Sequence, residues 1–248
     1  MEKTLNIVAD IGNSRIKLLF ENEYIAIENS LNWKSTINQI LREVNKQVKF
    51  CYSSVNTSIE VELLNIISNY QNVEILNANY LLSQQKIIDT SSVTGMGSDR
   101  ILGLIRAISL NGYPVITIDL GTAVTINYAD NGKCIGGAIF PGAETQKNSL
   151  INISEKLNID KFDFSNTFYG NSTEQAINSG IFLSVIGGIE KSLEMAKTKF
   201  GENFLKNIYI TGGTSPLFLK FIENKYTINY VPNLVLEGIL ELLKNYNI

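Results

Sequence analysis

The chain has 248 residues, a formal net charge of −3 at pH 7 and no histidine. This charge, without a run of Lys and Arg, gives no electrostatic support for binding nucleic acid or an anionic membrane, so a small-molecule substrate is the default expectation. The lack of histidine excludes Ser-His-Asp and Cys-His nucleophile systems and His-ligated metals, so acid-base work must fall to carboxylates.

The chain begins with three predicted strands, over residues 5–10, 15–20 and 24–28. The first strand ends on Asp10, and Gly12 follows in a turn whose backbone N–H groups can point at an anion. A carboxylate beside such a turn can hold a phosphate together with the cation that neutralises it. The first hairpin therefore predicts a phosphate site.

Helices and strands then alternate, which is typical of an α/β fold. Apolar residues at three- and four-residue spacing from Trp33 to Val48 predict a helix, residues 46–55 a strand, and Thr57 with Glu60 a capping box that opens a second helix. After an irregular segment, Asp99 and Arg100 stand at the start of another predicted helix, where N–H groups favour negative charge.

The second half opens by repeating the first hairpin. An apolar run over 115–118 ends on Asp119, a turn at Gly121 and Thr122 follows, and a second apolar run covers 124–128. Asp119 lies 119 − 10 = 109 residues after Asp10. The repeat predicts two similar α/β domains, 1–113 and 114–248, whose turns face each other across a cleft that would hold a nucleotide's phosphates.

The rest of the second half continues the pattern. The sequence predicts a third strand over 136–142, a helix ending at Leu157, a loop over 158–170 and a long helix over 171–199. That helix contains Gly180, Gly187 and Gly188, which predicts that something packs closely there. A strand ending on Gly212-Gly213 and a closing helix over 232–246 complete the chain.

Four motifs, in order, resemble the type III pantothenate kinases, a family of the acetate and sugar kinase/Hsp70/actin superfamily. They are Asp10-x-Gly-Asn-Ser-x-x-Lys17, Gly97-Ser-Asp-Arg100, Asp119-Leu-Gly-Thr-Ala-Val-Thr125 and Gly136-Gly-Ala-Ile-Phe-Pro-Gly142. The resemblance implies two ribonuclease H-like domains with an interdomain cleft. It also implies ATP-dependent phosphorylation of pantothenate to 4'-phosphopantothenate, the first step of coenzyme A biosynthesis.

The resemblance also implies a role for each motif residue. Asp99 is the expected general base, which orients the hydroxyl and takes its proton late, and Arg100 is a donor fork for the substrate or the transferring phosphoryl. Asp10 is assigned to the Mg²⁺ carried by ATP, and Asp119 to a monovalent cation, K⁺ or NH₄⁺. The expected ATP-binding residues are Asp10, Ile11, Gly12, Asn13, Ser14, Arg15, Ile16, Lys17 and Thr122, and the expected substrate-binding residues are Gly97, Ser98, Asp99, Arg100 and Thr173.

Several of these residues have a plainer structural interpretation. Lys17 could be a solvated lysine on the polar face of a strand, and the two turn carboxylates could cap backbone N–H groups. Ser172 or Thr173 could be only a helix cap. The glycines at 212 and 213, which resemble the adenosine-side glycines of the superfamily, could form an ordinary strand-to-helix turn.

One departure from the family keeps other functions open. The family places a Tyr, followed by Asn-Pro or Thr-Pro, about seven residues before Gly-x-Asp-Arg, whereas this chain has Thr90 there and no proline. A kinase of another small hydroxylated substrate is therefore an alternative. So are a non-catalytic regulator resembling the Bvg accessory factor, which would not need the intact carboxylates, and an ATP switch like actin or Hsp70, which the short length disfavours.

We expect the protein to form a homodimer and to be located in the cytoplasm. The resemblance implies the homodimer. Two cysteines, Cys51 and Cys134, are too few for a disulfide framework, and neither a signal peptide nor an apolar run of about 18 residues is present.

Overall fold

The computed structural model describes residues 4–21, 23–165 and 169–246. The first half contains β1 (Leu5–Ile11), β2 (Arg15–Phe20), β3 (Glu23–Glu28), α1 (Trp33–Glu43), β4 (Val48–Ser54), α2 (Thr57–Ile67), β5 (Val73–Asn77), α3 (Ala78–Gln84) and α4 (Ser98–Asn111). The second contains β6 (Val115–Leu120), β7 (Ala123–Asp130), β8 (Lys133–Pro141), α5 (Ala143–Ile153), α6 (Thr173–Phe200), β9 (Ile208–Thr211), α7 (Ser215–Glu223), β10 (Ile228–Tyr230) and α8 (Leu234–Tyr246). The α/β prediction is confirmed.

The predicted internal repeat is present as two sheets of the same topology. The first has the order β3-β2-β1-β4-β5 and the second β10-β9-β6-β7-β8. In each sheet the first strand of the half is antiparallel to the second strand and parallel to the fourth. The two hairpins thus occupy equivalent places, and Asp10 and Asp119 lie near the carboxyl ends of equivalent central strands.

Local spacing gave most elements and missed some. Helix α1 buries Trp33, Ile37 and Leu41 as the periodicity predicts, but it ends at Glu43, and Val48 is the first residue of β4. Helix α3 extends to Gln84, into the segment from Leu81 to Met96 that the pattern indicates as irregular. The helix predicted to reach Leu157 ends at Ile153 and is followed by a separate 3₁₀ turn. The predicted loop over 158–170 lies partly outside the described residues.

Each sheet has its own core. On one face of the first sheet, β1 and β2 pack against α1 and α2, with Ile7, Ile11 and Ile16 buried between them. In the second half, Ile116 and Ile118 of β6 pack with apolar residues of α6 and α7.

The chain divides into two compact units that differ from the predicted domains. Unit 1 comprises residues 1–88, 95–106 and 234–248, and unit 2 comprises 89–94 and 107–233. The predicted division at 113/114 therefore differs from these units at residues 89–94, from residue 107 within α4 onward, and at the C-terminus. Helix α8 belongs to unit 1 because its apolar side packs against β1, β2, β4 and α3. It also approaches α4 so closely that a side chain at Gly238 would overlap the backbone of Leu102.

No helix in the described ranges combines the length with the apolar character that crossing a bilayer demands.

Candidate active site

In unit 1, three polar side chains form a row across neighbouring strands. Asp10 of β1 lies opposite Lys17 of β2 and beside Ser53 of β4. The Lys17 Nζ is 3.3 Å from Asp10 Oδ2, although the Lys17 side chain is 42% exposed. Lys17 is therefore more than a solvated lysine, since it supplies positive charge at the carboxylate.

The turn after Asp10 presents main chain and short side chains to solvent. The Gly12 N–H donates to the Arg15 carbonyl at 2.9 Å, and Asn13 and Ser14 are exposed. The side chains of two expected ATP-binding residues, Ile11 and Ile16, are fully buried in the core. Only the main chain of these isoleucines can therefore reach a ligand.

Sequence reasoning missed the residue that braces this turn. The Asn29 side-chain amide donates to the carbonyls of Gly12 at 3.0 Å and Asn13 at 2.8 Å, and its backbone N–H donates to the Ser14 carbonyl at 2.9 Å. These three hydrogen bonds from Asn29 fix the carbonyls of the turn. Asn29 directly follows β3, so its only sequence signal was its place at the end of the third strand.

Burial raises the pKa of the Asp10 carboxyl above its ordinary value. The positive charge and hydrogen bond of Lys17 oppose this rise in pKa, and the negative charge of Asp99 adds to it. Asp10 and Asp99, predicted from separate motifs, therefore lie close enough in unit 1 to interact.

The Gly-Ser-Asp-Arg motif forms the start of α4, as predicted. Asp99 Oδ1 accepts a hydrogen bond from the Arg100 backbone N–H at 2.8 Å. A Cβ on Gly97 would lie 2.5 Å from the same oxygen, so the motif glycine makes room for the carboxylate. The Ser98 hydroxyl is 3.0 Å from the Ser53 hydroxyl. The motif thus places the Asp99 carboxylate at the N-terminus of α4, where negative charge is favoured.

In unit 2, the second turn is built by close backbone approach. The Thr122 carbonyl accepts hydrogen bonds from the Gly142 N–H at 2.9 Å and the Thr145 hydroxyl at 2.6 Å, while the Thr122 side chain is exposed. A Cβ on Gly142 would overlap the Gly121 carbonyl. The glycine that ends the fourth motif is therefore needed to seat α5 against the turn.

Asp119 lies against the glycine turn that follows β9. Gly212 has φ of +102°, and a side chain there would overlap the Asp119 carboxylate and the backbone of Leu120. Thr214 donates to the Leu120 carbonyl through its N–H at 3.0 Å and its hydroxyl at 2.7 Å. This turn therefore helps to build the second site.

We predict that Gly212→Ala destabilises the protein while Gly213→Ala does not. At Gly212, an added methyl would combine left-handed strain with overlap, and each costs roughly 1–3 kcal/mol. At Gly213, an added Cβ would meet no atom of the described residues within 4 Å. Thermal unfolding of the two variants measures the difference. Equal transition temperatures would contradict the packing described for Asp119.

The start of α6 resolves one alternative. The Ser172 hydroxyl is the N-cap and accepts from the Gln175 N–H at 3.2 Å, while the Gln175 side chain accepts from the Asn171 N–H. The arrangement resembles a capping box, except that the Gln175 side chain accepts from the residue before the N-cap. Thr173 is exposed and has no part in the box, so its substrate role stays a prediction.

The helix glycines divide into two kinds. A Cβ on Gly188 would lie 2.9 Å from the Phe140 ring, which confirms close packing at that position. Gly180 and Gly187 would meet nothing within 4 Å in the described chain. For these two glycines, the expectation of close packing is wrong within unit 2.

The segment that departs from the family motif is tied to the start of β8. The Asp89 N–H donates to the Gly132 carbonyl and the Cys134 N–H to the Asp89 carbonyl, both at 2.8 Å. The Ser92 hydroxyl donates to the Cys134 carbonyl at 2.7 Å. The segment around Thr90 is therefore held by the backbone of Asp89 and the hydroxyl of Ser92 rather than by an aromatic side chain of its own.

Comparison with known proteins identifies the family. The model of the family described as type III pantothenate kinase matches residues 6–195. The chain belongs to this family. A type III pantothenate kinase of Cytophaga hutchinsonii is 30% identical over 253 residues, which cover 98% of this chain and 100% of that protein. Because members of this family are kinases, the chain is a kinase that uses ATP with Mg²⁺.

Solved structures support the fold. A Campylobacter jejuni protein described as a Baf family transcriptional activator has a TM-score of 0.65 and 23% identity, covering 98% of this chain and 100% of its own. A Sinorhizobium meliloti structure described as a 2-dehydro-3-deoxygalactonokinase has a TM-score of 0.60 and 11% identity, covering 97% and 96%. At these identities the likeness shows the fold alone. The two-domain fold of the superfamily is therefore confirmed.

Proposed function

We propose that this type III pantothenate kinase transfers the γ-phosphoryl group of ATP to the terminal hydroxyl of pantothenate. The observation that carries the proposal is that the strand end bearing Asp10 and the helix start bearing Asp99 are joined in unit 1. Asp10 precedes a phosphate-type turn and is in register with Ser53, whose hydroxyl oxygen is 3.0 Å from that of Ser98, the residue before Asp99 at the start of α4. A kinase needs one group at the phosphates and a second at the acceptor hydroxyl.

Asp99 acts on the acceptor. An alcohol is a far weaker acid than a carboxylic acid, so Asp99 orients the hydroxyl and takes its proton late in phosphoryl transfer. The transition state is loose, and catalysis therefore rests on alignment and charge neutralisation. Arg100, the next residue, supplies a planar donor fork for the acceptor or the transferring phosphoryl.

The first turn receives the phosphates of ATP. The exposed side chains of Asn13, Ser14 and Arg15 provide donors, and the main chain of Asn13 and Ser14 lies at the same exposed tip of the turn, beyond the Gly12 N–H that is bonded to the Arg15 carbonyl. Asp10 offers the hard oxygen ligand that Mg²⁺ prefers, and no group of three Asp, Glu or Cys in the described residues forms a dedicated metal cage. This composition fits an ion that arrives with the nucleotide. Mg²⁺ supplies neutralisation of the phosphate charge, and Lys17 adds a second positive charge at the same carboxylate.

The second turn receives a monovalent cation and contacts ATP through Thr122. In the second sheet, Asp119 is in register with Thr125, a neutral residue that stands where the first sheet has Lys17. The Asp119 carboxylate supplies oxygen ligands, and Gly121 and Gly212 lie close to it. These features suit a free, weakly hydrated cation better than the ammonium group of a lysine side chain. We assign K⁺ or NH₄⁺ to Asp119.

We predict that purified protein releases ADP only when pantothenate is present, and that this release is faster in potassium than in sodium buffer. The assay is ATP consumption with and without pantothenate in each buffer. ATP binding without pantothenate-dependent turnover would contradict pantothenate as the acceptor. A panel of small hydroxylated compounds would then test the alternative that the Thr90 segment keeps open. Equal rates in both buffers would contradict the cation assignment.

We further propose that the chain forms a homodimer in the cytoplasm and that α6 lies at the interface. Gly180, Leu183 and Gly187 share one face of α6 by their spacing, and Leu183 is 52% exposed. The two glycines would allow a second helix to approach closely. The reduced state of the buried Cys51 and Cys134 fits a cytoplasmic protein.

We predict that Leu183→Glu halves the mass in solution, because it places a charge from each protomer in a dry interface. Val61→Glu is the matched control, since Val61 is 53% exposed on α2. Light scattering coupled to size exclusion measures both masses. A monomeric unmodified protein, or a variant of unchanged mass, would contradict the proposed interface.

A further inference from the structure

Ser53 is a buried polar residue that belongs to none of the four sequence motifs. Its exposure is 2%, and it lies near the carboxyl end of β4, in register with Asp10 on β1. Side chains in register on adjacent strands share a face of the sheet. Ser53 therefore continues the row that Lys17 and Asp10 begin.

The Ser53 hydroxyl reaches out of the sheet to α4. Its oxygen is 3.0 Å from the hydroxyl oxygen of Ser98, which lies 45 residues later in the chain. Ser98 is the first residue of α4 and Asp99 is the second. The hydrogen bond therefore joins the strand beside Asp10 to the turn that carries Asp99.

This link works against a repulsion. Ser53 is in register with Asp10, and its partner Ser98 directly precedes Asp99, so two carboxylates of like sign are held in one neighbourhood. Such charges tend to separate unless the elements that carry them are fastened. In the first turn of a helix the backbone N–H groups also lack intrahelical partners, so this turn frays easily.

Unit 2 offers an internal comparison. Thr211 of β9 is in register with Asp119, as Ser53 is with Asp10. The Thr211 hydroxyl donates to the Pro232 carbonyl at 3.1 Å, so it bonds to a loop and not to the first turn of a helix. The hydrogen bond to the first turn of a helix is thus found beside Asp99, the carboxylate that we assign to the acceptor hydroxyl.

We propose that Ser53 is a positioning residue for phosphoryl transfer, whose hydroxyl holds the first turn of α4 so that Asp99 keeps its place relative to Asp10. This inference rests on the proposed function. Ser53 does not contact ATP or pantothenate and acts through its hydrogen bond to Ser98. Displacement of a reacting group by about 1 Å can cost on the order of 100-fold in rate, so one hydroxyl bond has a measurable consequence.

The test compares Ser53→Ala with Ser54→Ala. Ser54 is the next residue of β4, and its hydroxyl bonds only locally to the backbone of Asn56 in the described contacts. We expect Ser53→Ala to lower kcat with pantothenate roughly 10- to 100-fold, with the KM for ATP within twofold and near-normal folding. We expect Ser54→Ala to retain the kcat of the unmodified protein. A Ser53→Ala variant with unchanged kcat would overturn the inference.

Two further measurements keep this outcome separate from that of the proposed function. If the unmodified protein does not phosphorylate pantothenate, the proposed function fails, and hydrogen exchange of residues 98–106 decides the inference without any acceptor. Exchange should be faster in Ser53→Ala than in Ser54→Ala, and equal exchange would overturn the link. If Ser53→Ala folds poorly, Ser98→Ala removes the other hydroxyl, and the same loss of protection is expected.

Discussion

Asp99→Asn is expected to lower kcat for pantothenate phosphorylation by about two to four orders of magnitude, the usual contribution of a positioned acid or base. The substitution keeps the size of the side chain and removes its charge and basicity. An asparagine oxygen can still accept the hydrogen bond of the Arg100 N–H, which Asp99 Oδ1 now accepts at 2.8 Å. It also still fits beside Gly97. Folding and nucleotide binding should therefore persist.

The matched control for this variant is Asp163→Asn. Asp163 is an exposed turn carboxylate that accepts from the Ser165 N–H at 2.9 Å, so the same chemical change is made outside the proposed site. Steady-state kinetics with pantothenate and a fluorescent nucleotide titration measure turnover and binding separately. An Asp99→Asn protein that retains most of its kcat would refute the general-base assignment.

Asp10→Asn is expected to remove activity and to stabilise the free protein at neutral pH. The loss of activity follows from the loss of the only carboxylate that the first turn offers to Mg²⁺-ATP, and we expect kcat/KM for ATP to fall at least about 100-fold. The gain in stability follows from burial, because the pKa of Asp10 is raised in the folded state.

Ionisation of Asp10 lowers the stability of the folded protein as the pH rises. A folded protein with a raised carboxyl pKa binds a proton at pH values where the unfolded chain has released it. The free energy of unfolding therefore falls as the pH rises from the ordinary value of 3.8 through the folded pKa, and ionised Asp10 costs stability above that range. Asparagine does not ionise, so the variant escapes this cost. Lys17, which is 42% exposed, can replace its lost partner with water.

Thermal unfolding between pH 4.5 and 7.5 would measure this trade-off. The transition temperature of Asp10→Asn should exceed that of the unmodified protein at pH 7, by roughly 2–4 °C for each kcal/mol gained in a protein of this size. The difference should shrink as the pH falls. Asp163→Asn should show no gain, because hydrogen bonds from Ser165 lower the pKa of Asp163 and make its ionised form favourable to folding. A lower transition temperature for Asp10→Asn would contradict the account of Asp10.

The two hairpins were predictable because their information is local. An apolar run, a carboxylate, a glycine turn and a second apolar run lie within about fifteen residues, and the two copies recur in order. The pairing of Asp10 with Lys17 follows from hairpin register, since the two residues are seven apart on adjacent strands. Family membership followed from the same motifs.

Contacts between distant segments were not predictable in this way. The bond of Ser53 to Ser98 joins residues 45 apart, and the bonds of Thr214 to Leu120 join residues 94 apart. A serine on a strand or a threonine in a turn gives no signal of such a partner. The structural role of Gly212 was equally unpredictable, because only its contact with Asp119 distinguishes it from an ordinary turn glycine.

The sequence by itself determined the class of fold, the internal repeat and the chemical character of both turns, because these depend on spacing within single hairpins and helices. The tertiary structure alone decided that α8 completes unit 1, that Asn29 braces the first turn, and that Ser53 holds the helix of Asp99. Such placements depend on which surfaces pack and which buried polar groups find a partner. These are properties of the whole folded chain, and no short stretch of sequence carries them.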